Sequence, residues 1–506
     1  MSVFKPTPEQ ELIAKAEGRV IKVSAFAGTG KSSTFKYLAR EKPGQKMLYL
    51  AFNKAIKEEA MGSFPSNVKA MTGHGLAYAA KGRIYGGVPQ KLQPDMKPYH
   101  VLPSLVGTTN HIPKESHNLY GGRVIETVKS FMVSADPDLL PKHVALGESP
   151  SEARHMSQAQ ILLDAKRIWG LMCDPSSGIP MLHDGYLKLY QLSNPRLNYD
   201  AVLLDEAQDT NPVLQAIVGA QQARTFYVGD QHQAIYLFRG ASNAMQRIKA
   251  DEEFGLTGSF RFGESVADVA NDILWLKGER MKLRGLGQHK GELREIDDKN
   301  EGHALISRGN ASLFREAVLA VGSGRPFAFV GPLGNYRFDQ IVDTFNLSVG
   351  DQVRDPFLKS FASYEQLAEY AESMDDKEIK ARVKLVGEFS AEIPRLVELI
   401  TQKSLPWTEG IQDRLPANAQ VFTTAHKSKG LEFDAVRLAD DYQPLIDEDH
   451  NLVEVAKMSD ADIEEINLQY VAATRAKKVL QLSEGLHEFL ELKQQIDRSL
   501  QPRIAG

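Results

Sequence analysis

Cysteine is almost missing from this chain of 506 residues, where Cys173 stands alone. No internal disulfide can form, and one thiol with 13 scattered histidines cannot build a cysteine–histidine zinc cluster. A reducing, intracellular compartment fits that usage. Long apolar runs are missing too. None approaches the roughly 20 residues that cross a bilayer, so no membrane partner is expected. The polar stretch 1–11 lacks the apolar core of a secretory signal. There is no repeat and no low-complexity tract. Nor is there an excess of positive charge: 60 Lys and Arg against 65 Asp and Glu leave a net charge of −5. That weighs mildly against a nucleic-acid partner, although a local groove can be basic on an acidic surface. What remains is the composition of a globular protein, 42% apolar and 25% charged, in a chain too long for a single core.

The chain opens on an alternation of strand and helix. Residues 20–24 read as a strand, 25–30 as a small, glycine-bearing loop, 32–40 as a helix, 47–52 as a strand and 54–61 as a helix. That order predicts a parallel α/β sheet. From about 81 to 183 the pattern changes to Pro- and Gly-rich turns followed by helices at 123–133 and 151–172. Strands return at 201–204 and 225–228, so the middle stretch reads as an insertion. A second, mostly helical and strongly charged insertion is expected between 347 and 417, with helices at 363–381 and 381–400. Strands are expected again at 420–424 and 435–438, and a helical end after Val479.

Two segments carry recognisable chemistry. Ala25-Phe26-Ala27-Gly28-Thr29-Gly30-Lys31-Ser32-Ser33 lies between a predicted strand and a predicted helix, and it matches a P-loop except that Ala25 replaces the first glycine. Gly28 and Gly30 allow backbone N–H groups to curl around phosphate oxygens, and the helix start favours the same anion. Lys31 offers a point charge and Ser32 a hydroxyl for Mg²⁺. The bland reading is a glycine-rich turn without ligand. In 201–209 an apolar strand ends in Asp205-Glu206-Ala207-Gln208-Asp209. Strand ends of such sheets are ligand sites. Asp205 would hold Mg²⁺ through water, and Glu206 would orient and deprotonate the attacking water. The bland reading there is a solvated acidic turn.

The acidic segment resembles the Walker B box of UvrD-type superfamily 1 helicases, a family that includes Rep and PcrA. Further blocks follow in the family's order. Val228-Gly229-Asp230-Gln231-His232-Gln233-Ala234-Ile235-Tyr236-Leu237-Phe238-Arg239-Gly240-Ala241 resembles motif III, and Leu256-Thr257-Gly258-Ser259-Phe260-Arg261 resembles motif IV. Thr424-Ala425-His426-Lys427-Ser428-Lys429-Gly430-Leu431-Glu432-Phe433 resembles the DNA-type form of motif V, and 464–476 resembles motif VI. The matched blocks run from about residue 4 to 478.

The resemblance implies ATP and Mg²⁺ as cofactors, with Ala27 to Ser33 at the nucleotide. Gln10 would read adenine, Phe260 would stack on it, and Glu432 would bind the ribose. Gln233 would sense the γ-phosphate, and Arg261 and Arg475, at or beyond the lobe junction, would reach it from the second α/β domain, with Lys31, Asp205 and Glu206 on the first lobe. It also implies two RecA-like parallel-sheet domains, each carrying a mostly helical insert. The first would span 1–81 and 184–262, with an insert at 82–183. The second would span 263–346 and 418–506, with a reduced insert at 347–417. Phe52, Asn53, Lys54, His74, Tyr236, Phe238, Arg239, Thr424 and His426 match DNA-contacting positions. An aromatic pair such as Tyr236 and Phe238 is otherwise more often buried strand. Phe238 stands where the family usually has tryptophan, and Phe52 is displaced in motif Ia.

The form of motif Ia and the segment after 355–357 resemble the F-box DNA helicase group, without room for an F-box. The function implied is an ATP-dependent translocase and helicase on single-stranded and tailed duplex DNA, 3′-to-5′, in repair, recombination or replication. Its expected setting is cytoplasmic or nucleoid-associated, with repair or recombination proteins as possible partners. A monomer is compatible with it. The competing class is a nucleotide-switched DNA-binding subunit of a repair or phage-defence complex, with little unwinding of its own.

Overall fold

A computed structural model describes residues 4–146, 156–236, 244–408, 414–447 and 449–500. Two six-stranded, all-parallel sheets organise the molecule, as the α/β reading requires. The first contains β1 (Val20–Ala25), β2 (Met47–Ala51), β3 (Val68–Thr72), β4 (Ala201–Leu204), β5 (Arg224–Gly229) and β6 (Glu252–Leu256), in the order β3-β2-β4-β5-β1-β6. The second contains β7 (Glu292–Leu293), β8 (His303–Ser307), β9 (Phe327–Phe329), β10 (Gln420–Thr424), β11 (Phe433–Leu438) and β12 (Ala476–Gln481), in the order β7-β12-β11-β8-β10-β9. The central strands are buried along their whole length, as in β4, β8 and β10. Helices cover both faces of a parallel sheet, so near-continuous apolar runs such as Ala201-Val202-Leu203-Leu204 are what it selects.

Local signals set the element ends. Thr7 and Gln10 form a reciprocal capping box at the helix Pro8–Ala14, and Asn53 caps the helix Lys54–Ser63 by accepting from Ile56 N. Two expectations are corrected. The single helix expected over 363–381 is two, Tyr364–Ser373 and Lys377–Phe389. Asp375 adopts a positive φ of 48° and Asp376 caps the second helix through Glu378 N and Ile379 N. The closing helix starts later than Val479, which belongs to β12; the helix is Glu484–Leu500. Pairing with the strand Phe433–Leu438 keeps Leu480 and Gln481 in the sheet, where a helix is expected.

Each sheet has its own core, and the inserts add others. Tyr120, Val124, Val128, Ile161, Ile168 and Met172 centre a separate cluster that also takes in Val213 and Ile217 from the helix Pro212–Gly219. In 347–417, Val353, Phe357, Leu358, Phe361 and Leu367 form a small cluster. Leu385, Val386, Ile393 and Ile400 instead join the core of the second sheet, with Phe314 and Phe327. The inserts touch: Asn118 Nδ2 donates to Ser360 O at 2.8 Å and Arg123 Nη2 to Ser373 O at 2.6 Å. The lobes also share apolar surface directly, because Phe26, Ala27 and Ile235 pack into one cluster with Phe262, Tyr470 and Val471. Among the described residues, no helix is long and apolar enough to cross a membrane.

Candidate nucleotide and nucleic-acid site

β1 delivers the chain to the loop 26–30, and the helix Lys31–Glu41 leaves from it. Gly28 and Gly30 have φ of 73° and 80°, a region that side chains rarely adopt. Space is a second constraint at Gly28, where an added Cβ would stand 2.5 Å from Ser259 Oγ and 2.7 Å from Arg261 Cβ. Ala25, in place of the first glycine, is a buried residue of β1. Thr29 Oγ1 donates to Phe26 O at 2.8 Å, which ties the loop together. Lys31 Nζ lies 2.6 Å from Glu206 Oε1. Gln10 is beside this loop: its Nε2 donates to Thr34 Oγ1 at 3.2 Å and faces Gly30. Phe260, half exposed, also lies beside Gly30.

The carboxylates follow β4. Asp205 accepts from Tyr49 OH at 2.5 Å and from Glu206 N at 2.9 Å. Burial, then the charge of Glu206, raises the Asp205 pKa. Against burial, Lys31 and Lys429 hold Glu206 below the usual carboxylate range. Glu206 itself has a left-handed backbone, φ 49°. Gln208 Nε2 donates to Glu206 Oε2 at 2.5 Å and to Asp209 Oδ2 at 3.1 Å, while its Oε1 accepts from Asp230 N at 3.0 Å. Asp209 is fully buried, pushed up to about 6 by burial against the pull of Lys429, and its Oδ1 has no hydrogen-bond partner.

The second lobe completes the cluster. Tyr470 OH donates to Asp230 Oδ2 at 3.0 Å and accepts from Ala27 N at 3.2 Å. Gln233 Nε2 donates to the same Asp230 oxygen at 2.6 Å. Arg475 is buried, with Nε on Val471 O at 2.8 Å. Burial, and then the neighbouring Arg261, lowers its pKa to about 9. Arg261 Nε donates to Glu432 Oε1 at 2.8 Å and Nη1 to Thr474 O at 3.1 Å. Lys429 pairs closely with Asp209, donates to Gln233 O at 2.7 Å and lies 3.6 Å from Glu206 Oε2. Lys31, Asp205, Glu206, Gln233 and Arg475 are therefore brought together, with Gln10 and Phe260 at the loop and Arg261 paired to Glu432. Ser32 and Ser33 open the helix behind Gly30.

A nucleic-acid candidate surface adjoins it. Phe52 and Tyr236 stack, centroids 5.2 Å apart and planes at 26°. Lys429 Nζ stands 5.4 Å from the Tyr236 ring centre and 5.9 Å from that of Phe52. Tyr236 OH donates to His426 O at 3.2 Å, and the two rings are 5.8 Å apart. Thr424 caps the short helix Ala425–Ser428, Asn53 caps its own helix, and Lys54 is exposed near Glu58. His74 contacts Asp184 at 2.9 Å and lies edge-on to Tyr186. Phe238 and Arg239 lie outside the described residues. Sequence reasoning gave no role to Tyr49, Gln208, Asp209, Asp230, Lys429 or Tyr470. All but Tyr49 sit inside the quoted motif blocks, but only tertiary structure reveals whom they touch.

Comparison with known proteins places this arrangement. Residues 155–253 match the UvrD/REP helicase N-terminal domain and residues 349–485 the UvrD-like helicase C-terminal domain. Both matches are to domains of UvrD-like helicases. The chain is similar along nearly its whole length to F-box DNA helicases. F-box DNA helicase 1 of Gallus gallus is 33% identical across 97% of this chain and 50% of that protein. F-box DNA helicase protein 1 of Schizosaccharomyces pombe is 32% identical across 96% of this chain and 58% of that protein. A probable DNA helicase II homolog of Mycoplasma pneumoniae is 27% identical over 23% of this chain and 21% of its own length. The chain spans about half the length of the two F-box relatives.

Proposed function

We propose that this chain hydrolyses ATP to move along single-stranded DNA, 3′-to-5′, and to separate the strands of tailed duplexes in DNA repair or recombination. One observation carries the reading. Arg475 is a buried cation that forms no salt bridge among the described residues, and it sits between lobes beside Arg261 and Gln233. A desolvated, unneutralised guanidinium is costly unless an anion completes the site. The loop at Gly28 and Gly30 supplies the matching phosphate cradle. On this reading Lys31 binds the outer phosphates, Glu206 activates water, and Gln233 with Arg475 and Arg261 contacts the transferring phosphoryl. Gln10 and Phe260 take the adenine, and Glu432 the ribose. A magnesium ion, when bound, supplies charge that offsets the phosphate oxygens, and Ser32 and Asp205 are the residues that would hold it.

The phosphoryl-contacting groups are divided between lobes, so nucleotide binding favours the closed arrangement and hydrolysis removes the bridge. Lys429 links that event to the track, because it touches Asp209, Gln233 and the faces of Phe52 and Tyr236. Stacked aromatics grip bases with little regard for sequence. The division into lobes and inserts given by the sequence belongs to the same proposal. The test is steady-state ATP hydrolysis with and without single-stranded DNA, beside a Lys31→Ala variant. Strong stimulation that the variant abolishes is the expected result. Equal stimulation by RNA would reopen the substrate. Absence of stimulation by any nucleic acid would sink the autonomous motor and leave a nucleotide-switched subunit.

A further inference from the structure

The segment that follows β3 contains a five-residue π-helix, Tyr78–Gly82, between the α-helical turns Gly73–Ala77 and Arg83–Gly86. Such turns are rare and gather at functional sites. Tyr78 is 36% exposed. The rest of its ring lies against glycine backbone. A Cβ added at Gly82 would stand 2.5 Å from Tyr78 Cδ2, and one at Gly86 would run into its hydroxyl. No larger residue fits at either position without displacing the ring. The ring meets Tyr186 in a T-shaped contact, centroids 5.7 Å apart at 69°. Tyr186 in turn meets the His74 ring edge-on at 6.2 Å and shares a hydrogen bond with His183 Nδ1 at 3.0 Å. The exposed ring is therefore fixed in advance, and little ordering cost remains for a ligand that stacks on it.

Its position extends the aromatic surface already described. Ala51 at the end of β2 pairs in register with Thr72 at the end of β3. Phe52 and Gly73 thus leave adjacent strands about 4.8 Å apart. His74 and then Tyr78 follow within the next helical turn. Lys81 and Arg83 lie on the same stretch, and neither makes an ion pair among the described residues. His74 and Tyr78 both pack on Tyr186, so the segment that leaves β3 beside Phe52 carries both rings, with Lys81 and Arg83 following in the chain. A part-exposed aromatic ring on a segment that also carries cations is the chemistry that holds an unpaired base.

We propose that Tyr78 is a base-stacking platform at the outer end of the track, for one nucleotide of single-stranded nucleic acid; this rests on the proposed single-strand binding. The test uses the full chain with Tyr78→Ala, Tyr78→Phe and Tyr78→Trp. Binding is read by fluorescence anisotropy on a labelled oligothymidylate and on an abasic deoxyribose-phosphate strand of equal length. Tyr78→Ala is expected to weaken binding to oligothymidylate on the order of tenfold. The Phe and Trp variants should stay close to the native protein. On the abasic strand native protein and Tyr78→Ala should be indistinguishable, which also reports an intact fold. Equal affinity of the Ala variant and native protein for oligothymidylate overturns the proposal. A loss of the same size on the abasic strand overturns it too, since no base is then involved. If the native protein binds neither strand, the single-strand reading itself falls and takes this one with it. A failure confined to the variant comparison leaves the broader reading standing.

Discussion

Arg475 Nη2 faces Gln233 Oε1 across the lobe boundary at 3.5 Å. The glutamine is already anchored by Asp230, and the arginine by Val471 O, so the gap is set by how the two lobes dock. Both anchors report to Asp230 or its neighbours, because Tyr470 reaches the same carboxylate from the second lobe. A small rotation between lobes changes this distance before it changes either lobe internally. That makes the pair a sensitive element of a site whose parts come from both sheets.

Replacing Arg475 by Met should separate catalysis from stability. If the guanidinium serves an anionic ligand, its loss costs roughly 10³-fold or more in kcat, as for arginines that act on a transferring phosphoryl. The melting midpoint should hold or rise, because a buried unpaired charge has been removed. Arg475→Lys should recover little, since a point charge does not reproduce the planar fork. A large drop in melting midpoint with proportionate loss of activity would instead make Arg475 a structural residue.

The parts of this site that the sequence disclosed are those whose chemistry is local. The cradle of Gly28 and Gly30, the carboxylates after β4 and the alternation of strand and helix all depend on near neighbours, and they sit where expected. Arg475 and Gln233 were found through motif resemblance, since an isolated arginine carries no sign of its burial. Lys429 shows the limit. It lies within a quoted block, but its contacts with Asp209 and Gln233 span about 200 residues of chain, and no spacing rule reports them. The split at Asp375 and the strand character of 476–481 were missed for a related reason. A positive-φ aspartate is not recognisable from composition, and β12 is a strand because β11 lies beside it. The half of the second insert that merges with the sheet core reads as a separate helical module for the same reason.

His303 predicts an acid-sensitive step in stability. It opens β8, its side chain is fully buried, and burial together with Arg325 holds its pKa down to about 4. In the unfolded chain it titrates near 6.5. Between those values the unfolded state binds more protons than the folded state, so stability falls as pH drops from about 6.5 to about 4. The contribution is on the order of 3 kcal/mol. Thermal melts of the native protein and of His303→Gln across that window provide the check. The native midpoint should decline more steeply, and parallel curves would show that another group dominates acid sensitivity.

Phe52 and Tyr236 should behave as one unit in binding DNA. Their rings cover each other's inner faces at 5.2 Å, and Lys429 lies close to both. Removing either ring as Ala should weaken single-stranded DNA binding by about 1–3 kcal/mol. Once one is gone its partner loses the surface that orients it, so the double variant should cost less than the sum, with a coupling of about 0.5–1.5 kcal/mol. Binding titrations on the four proteins measure this directly. Strict additivity would mean that the rings meet bases independently. Native affinity in both single variants would mean that the stack only packs the first lobe against the second, and the track would then have to be sought at His74 and His426.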